Sequence, residues 1–476
     1  MDVSIPMAPG KLPVVGHTLR LRRDPIRFLR SLPPQGDLVK FQIGAKQVVM
    51  VCNAELTRQM LTDDSNFDKG GPLIKLVQGL VGDGLATCPH DRHRQYRRQI
   101  QPAFRPDRLP GYAPSVAGGV GAVVDGWQSG QVIDVPVEMR RLAIHASVRA
   151  LFSSALPADV IDRMADDFTT FLVGVAQRVG RRPALDRLPT KLNREYVAAI
   201  ARIRQTLHDM IAERRADGGE QDDVISALLT TDQDGRQTLS DEVIVDHAAT
   251  FVAAPTATVA SVLGWALYEL VQNPNLADRL RAEVDAVLGG GPVRPEHLPD
   301  LQLTRRIVSE ALRMYPTVWI MTRVVTKAAE LGGHWFPAGS VLTYSPYLVQ
   351  RCGDFYEDPD RFDPDRWDHT RHSPPPRHAF IPFGGGARQC IATEYSPNEM
   401  VIALATIAAR WRLEPVSRTP LRPRAAVNLT ARGLRIRTIE RDPVSERRRT
   451  RSSLRRRVTR CAAGTGRPTR RRTWLI

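Results

Sequence analysis

Cysteine is scarce in this chain and poorly spaced for structural work. The five cysteines in 476 residues (Cys52, Cys88, Cys352, Cys390, Cys461) are odd in number, scattered and without CxxC spacing. That excludes both a disulfide framework and a cysteine-based zinc site. A reducing, cytoplasmic setting follows, with at most one of the five carrying chemistry. Long apolar runs are missing too. Residues 1–16 hold three prolines and no such run, so neither a signal peptide nor an anchor is expected there. One stretch has the length of a membrane span: Ala248 to Tyr268, 21 residues without a charge. Thr250, Pro255, Thr256, Thr258, Ser261 and Gly264 interrupt it, so it reads as a buried core helix of a soluble protein.

Acidic residues are wanting only at one end. The net charge is +16, but residues 441–476 hold 13 arginines against Asp442 and Glu446, a net of +11, which leaves +5 for the first 440 residues. A nucleic-acid-binding reading therefore rests on that tail alone. The tail has no apolar periodicity and is rich in Ser, Thr, Gly and Pro, which predicts a disordered extension to a functional body spanning 1–440.

What is present is mainly helical. Two alternating strands, Val39–Ile43 and Gln47–Cys52, flank a turn at Gly44-Ala45-Lys46. From Ala103 to about Gln272 helical periodicity dominates. Its clearest element starts at an N-cap, Ser240, with Asp241 and Glu242 in the first turn, and stops at Asn273-Pro274. At ~1.5 Å per residue it crosses the whole molecule. Further helices are predicted over Asn275–Leu288, closed by Gly289-Gly290-Gly291, and over Leu303–Met314, before Pro316. The fold class is mainly α with a minor β region, threaded by one long central helix.

The decisive stretch is Phe383-Gly384-Gly385-Gly386-Ala387-Arg388-Gln389-Cys390-Ile391-Ala392. Its glycines let the backbone fold tightly and turn N–H groups toward one sulfur. Those donors, and the start of the helix expected after Cys390, stabilise a thiolate. Phe383 can shield that sulfur from water, and Arg388 supplies a cation. An anionic sulfur without a His or Cys partner suits an axial ligand to haem. The pattern F-G-x-G-x-R-x-C is similar to the signature of the cytochrome P-450 family, which this chain resembles from about residue 8 to residue 440. One departure is Ala392, where that family usually has Gly. Another is Pro397, early in the final helix, which removes a backbone donor.

The resemblance implies a haem-thiolate monooxygenase holding haem b (iron protoporphyrin IX), with Cys390 as the iron ligand, and it assigns further residues. Glu310 and Arg313 match the E-x-x-R motif and are expected to meet Arg366 of Phe362-Asp363-Pro364-Asp365-Arg366-Trp367 in a buried, structural charge network. His93 and Arg97 match the W-x-x-x-R helix, with His in place of Trp, and Arg323 matches the strand arginine beneath the haem. With Arg388 they serve the two haem propionates.

On the oxygen side the pattern breaks. The motif A/G-G-x-D/E-T-T falls on Ala254-Pro255-Thr256-Ala257-Thr258-Val259. Pro255 replaces the Gly and frees the carbonyl of Phe251. Ala257 replaces the acid, so only Thr258 keeps a catalytic hydroxyl in register, and proton delivery falls to Thr258 and water. Peroxygenase members have Arg-Pro in this helix, and Ala254 stands where their arginine binds a carboxylate. A peroxide-using enzyme and a haem-binding protein without turnover are the alternative readings.

No flavin, iron–sulfur or nicotinamide motif is visible, so electrons are expected from a ferredoxin and its NADPH-dependent reductase. Basic residues around Arg97, Arg98 and Arg388 are expected to steer the donor. Apolar segments in the family's substrate regions, the loop Asn66–Leu85 (Leu76, Val77) and Thr317–Met321 (Val318, Trp319), with Ala254, imply a hydrocarbon-like ligand held by shape. Gln101–Arg105, Val318-Trp319, Glu330–Gly333 and Tyr344–Tyr347 resemble actinobacterial sesquiterpene oxygenases of the pentalenene type, which implies a terpene substrate in secondary-metabolite biosynthesis.

Overall fold

The computed structural model describes residues 4–153, 156–179, 183–217, 223–229, 239–417 and 419–441. The arginine-rich extension lies outside them, apart from its first residue.

The apolar patterning sorts the chain into a helical body and a small sheet. The helix of Asp241–Gln272 is the spine of the body. Most of its length is buried, Val245, Ala248, Val259, Leu263 and Trp265 among it, so its lack of charge reflects protein on every side. It is the only described helix long and apolar enough to cross a membrane, and 78% of its most apolar window lies inside the protein. Asp241 and Glu242 occupy its first turn as expected, but the Ser240 side chain makes no capping bond. The chain continues helical through Pro255 to Gln272.

Against this spine pack the helices Val135–Leu151, Gln302–Met314 and Tyr395–Arg410, and Leu109–Val124 packs on the first and last of these. Pro274–Leu288 ends at Gly289 in the left-handed region, φ 60°. The principal sheet has five strands in the order Leu38–Ile43, Lys46–Val51, Val341–Tyr344, Met321–Val325, Phe67–Lys69. The first two form the expected hairpin, pairing Ile43 with Lys46. The last two run antiparallel, with Lys69 opposite Arg323.

Two expectations are corrected here. The apolar loop of residues 66–85 is a short strand followed by a helix, Pro72–Val81, whose Leu76 and Val77 pack half-buried against the core. Runs of Leu, Ile and Val at helical spacing bury better on a helix than on a loop. The folded body also reaches at least to Arg441. Arg441 is buried, donates to the Ala408 carbonyl at 2.6 Å and pairs with Asp285 at 2.8 Å. Deleting 442–476 is therefore expected to leave melting temperature and haem content nearly unchanged. Deleting Arg441 as well should lower the melting temperature by several degrees, because its buried pair with Asp285 and its bond to the Ala408 carbonyl are lost. Thermal denaturation of the two truncations compares them directly.

Candidate functional site

The stretch 383–390 folds back on itself. Gly384 and Gly386 have φ of +72° and +66°, and a Cβ on Gly386 would come 1.8 Å from the Leu61 carbonyl, so only glycine lets the loop pass there. The Cys390 N–H donates to the Phe383 carbonyl at 2.9 Å and closes the loop, with Phe383 half-buried and Cys390 itself exposed. The protein packed around Cys390 pushes its thiol up although the residue is exposed, while the Ala392 N–H, Lys69 and Arg97 pull the other way. The final helix begins at Tyr395, not directly after Cys390, so its dipole is offset from the sulfur by several residues. Pro397 explains the delay: within the first turn its missing N–H costs no intrahelical bond.

Beside the loop stands a ring of cations. Arg388 is buried and donates to Asp68 at 2.6 Å and to the Cys88 carbonyl at 3.0 Å. This overturns its expected part in steering a donor protein, since a guanidinium sealed behind Asp68 presents no charge at the surface. Arg323, 2% exposed, has no acidic partner among the described residues; it donates to its neighbour's carbonyl and lies 5.3 Å from the Tyr344 ring. Arg97 donates to Gln101 at 3.0 Å and to the Gln389 carbonyl. His93 is buried one turn earlier on the same helix; burial, then Arg388, Lys69 and Arg97, depress it to about 3. The helix His90–Ile100, the strand Met321–Val325 and the 383–390 loop thus deliver all six expected cofactor residues to one place.

Sequence reasoning missed two members. Lys69 is half-buried, and desolvation, then Arg323 and Arg388, lower it to about 8. Asp68 accepts from Arg388, from the Lys69 N–H and from the His90 N–H. A three-residue strand gives no periodic signal; what reveals Lys69 is its place opposite Arg323. Like charges directly across a ladder are destabilising. Among the described residues, Lys69, Arg97, Arg323 and Arg388 face one paired acid, Asp68, which leaves an excess of buried and half-buried positive charge, and the Arg388 Nε is buried without a hydrogen-bond partner. A group bearing two carboxylates and a soft metal centre is what this donor set fits.

The comparisons agree with that geometry. The profile of the cytochrome P450 family, written P-450 here, matches residues 6–433. This chain belongs to the cytochrome P-450 family. It is 40% identical to a pentalenene oxygenase of Streptomyces avermitilis over 92% of this chain and 97% of that protein. It is 39% identical to a cyclooctatin synthase of Streptomyces melanosporofaciens over 90% of this chain and 94% of that protein. A cyclooctat-9-en-7-ol 5-monooxygenase of the same organism is 37% identical, over 87% and 90%. The P-450 is a monooxygenase of mainly α fold that uses a haem-thiolate cofactor, draws electrons from redox partners and acts on apolar compounds.

The buried charge network expected from the motifs is present, with more members. Glu310, fully buried, accepts from Arg313 at 2.8 and 2.9 Å and from Arg366 at 3.0 Å. Trp367 Nε1 and the Asp363 N–H each add a bond at 2.9 Å. Arg313 also donates to the carbonyls of Gln350 and Pro359. On the long helix, Ala254 is exposed and Thr258 half-buried, while Thr256 is buried with its hydroxyl on the Val252 carbonyl. The Thr258 hydroxyl donates to the Ala254 carbonyl at 2.8 Å, and the Thr258 carbonyl accepts from Thr317 at 3.2 Å. Phe251 stacks on Phe104, and Phe104 meets Tyr395 edge-on, so the long helix and the thiolate segment flank the same turn. Val318 is half-buried; Trp319 is 7% exposed, and its Nε1 donates to Ala426 at 3.0 Å, which binds it into the wall.

Proposed function

We propose that this P-450 hydroxylates a cyclic terpene hydrocarbon in the cytoplasm, using haem b and electrons from a ferredoxin and its NADPH-dependent reductase. The observation that carries the substrate class is 40% identity to a pentalenene oxygenase across nearly the whole of both chains. The half-buried Leu76, Val77, Val318 and the exposed Ala254 agree with it, since they offer shape and apolar contact and no charge. Trp319 acts as a rigid wall. Cys390 is the iron ligand, and Lys69, His93, Arg97, Arg323 and Arg388 hold the propionates. Haem bound there supplies dioxygen binding and its reductive activation.

Thr258 is the catalytic hydroxyl. Its proton is committed to the Ala254 carbonyl at 2.8 Å, so its oxygen lone pairs are left to hold a water. Pro255 has no N–H for the carbonyl of Phe251, which gives that water a second acceptor. Ala257 cannot relay a proton, so delivery rests on this water. The reading is tested by titrating the purified enzyme with cyclic sesquiterpenes, diterpenes, fatty acids and steroids. Displacement of the Soret band by terpenes and a hydroxylated product under NADPH, ferredoxin and reductase are expected. A response to fatty acids alone sinks the substrate class.

Thr258→Ala is expected to lower product formed per NADPH several-fold while NADPH consumption continues and peroxide rises. Ala257→Asp should recover part of the coupling. If Thr258→Ala couples as well as the parent, the hydroxyl is helix packing, and a peroxide-using enzyme becomes the better account.

A further inference from the structure

Away from the haem cations, the long helix carries an acid whose place packing does not explain. Glu269, near the end of the long helix, is half-buried, and no cation pairs with it among the described residues. Its side chain accepts from the hydroxyl of Tyr315. Burial pushes the Glu269 carboxyl up, which makes it a stronger base than a surface carboxylate. The Tyr315 phenol is also pushed up, by burial and then by Glu269, so it does not ionise by itself. An apolar pair would fill this space without the cost of desolvating a carboxylate.

The Tyr315 ring lies flat on Trp265, centroids 4.1 Å apart and planes 6° from parallel. Trp265 is wholly buried and meets Tyr268 edge-on at 5.5 Å. Tyr268 is 9% exposed and accepts the Leu421 N–H, so the aromatic series leads outward. Its inner end is close to the oxygen side. Thr317, two residues after Tyr315, hydrogen-bonds the Thr258 carbonyl at 3.2 Å. Trp265 follows Thr258 by seven residues on one helix, roughly 10 Å along the axis.

We propose that Tyr315, Glu269, Trp265 and Tyr268 form a relay that drains oxidising equivalents from the haem site when no substrate consumes them. The oxidant is hydrogen peroxide at the haem site. Its O–O bond breaks as two electrons, drawn one at a time through Tyr315, and two protons from solvent reduce it to two waters. Two thiols in solution, oxidised to a disulfide, supply those electrons. Tyr315 gives one electron toward the haem, and its phenolic proton passes to the Glu269 carboxylate. The O–H bond breaks, a neutral phenoxyl radical and a neutral carboxylic acid result, and no charge is created in the interior. An electron arriving through Tyr268 and Trp265 from a thiol-class reductant in solution refills Tyr315, and Glu269 returns the proton. Ala257 gives the relay its use: without the helix acid, coupling falters more often and more oxidant is left unspent.

The relay rests on haem binding at Cys390, and the test separates the two. Substrate-free holoenzyme is mixed with hydrogen peroxide, freeze-quenched and examined by electron paramagnetic resonance, with haem bleaching followed in parallel. A tyrosyl signal that narrows with ring-deuterated tyrosine is expected. Tyr315→Phe should lower it several-fold and speed bleaching several-fold. Glu269→Gln keeps the stack but removes the proton acceptor, so the tyrosyl signal should be lost there too, even if Tyr315→Phe takes up little haem. Trp265→Phe should leave a tyrosyl radical that decays more slowly. Unchanged signal and bleaching in Tyr315→Phe or Glu269→Gln, with parental haem content, overturn the relay alone. A parent chain that takes up no haem overturns the haem reading itself.

Discussion

Cys390→Ser is expected to remove the red-shifted Soret band of the reduced carbon monoxide complex and to abolish NADPH-driven oxygenation. The reason is local. The 383–390 loop closes on its own backbone through the Cys390 N–H and the Phe383 carbonyl, so serine is accommodated with the loop intact. What changes is the donor atom. A serine hydroxyl is a far weaker acid than a thiol and lacks the polarisable sulfur that pushes electron density to the metal. The cation ring of Lys69, Arg97, Arg323 and Arg388 is untouched, so haem uptake should fall less than activity does. Difference spectra on the purified variant, with haem quantified separately, check both statements. A surviving red-shifted band means that some other group ligates the iron.

Glu310→Gln should be nearly as damaging, though by a different route. Glu310 gathers five hydrogen bonds, from Arg313, Arg366, Trp367 and the Asp363 N–H, and both it and Arg313 are fully buried. Removing the charge leaves Arg313 with carbonyl acceptors and no counter-ion. Breaking a buried pair in this way costs ~3–5 kcal/mol, against a total domain stability of ~5–15 kcal/mol. Folded, haem-loaded protein should therefore collapse in yield, with the melting temperature of any survivor sharply lowered. Arg366→Ala, whose side chain is 14% exposed, should be milder. Arg163→Ala, in an exposed pair with Asp159, should leave the melting temperature unchanged. If Glu310→Gln matches Arg163→Ala, the network is not a structural keystone.

Residue order alone determined the local elements and the chemistry of the ligand. The stop of the long helix at Asn273-Pro274, the hairpin about Gly44 and the helices ending at Gly289 and Met314 depend on prolines and glycines, which act within a few residues. The eight-residue pattern ending in Cys390 likewise needs only its own loop. The E-x-x-R pair could be foreseen because its members share one helical turn.

Tertiary structure decided what depends on distant chain segments. Lys69 joined the cations near Cys390 only when Phe67–Lys69 paired with Met321–Val325 and set it opposite Arg323. Arg388 lost its surface role because Asp68, some 320 positions away in sequence, sealed it. Arg441 joined the body through Asp285, and Tyr315 met Trp265 and Glu269 only when the helix of Gln302–Met314 lay against the spine. Periodicity reports which face of an element is buried. It says nothing of which charge waits on the other side, because that partner is chosen by packing between elements that no local pattern encodes.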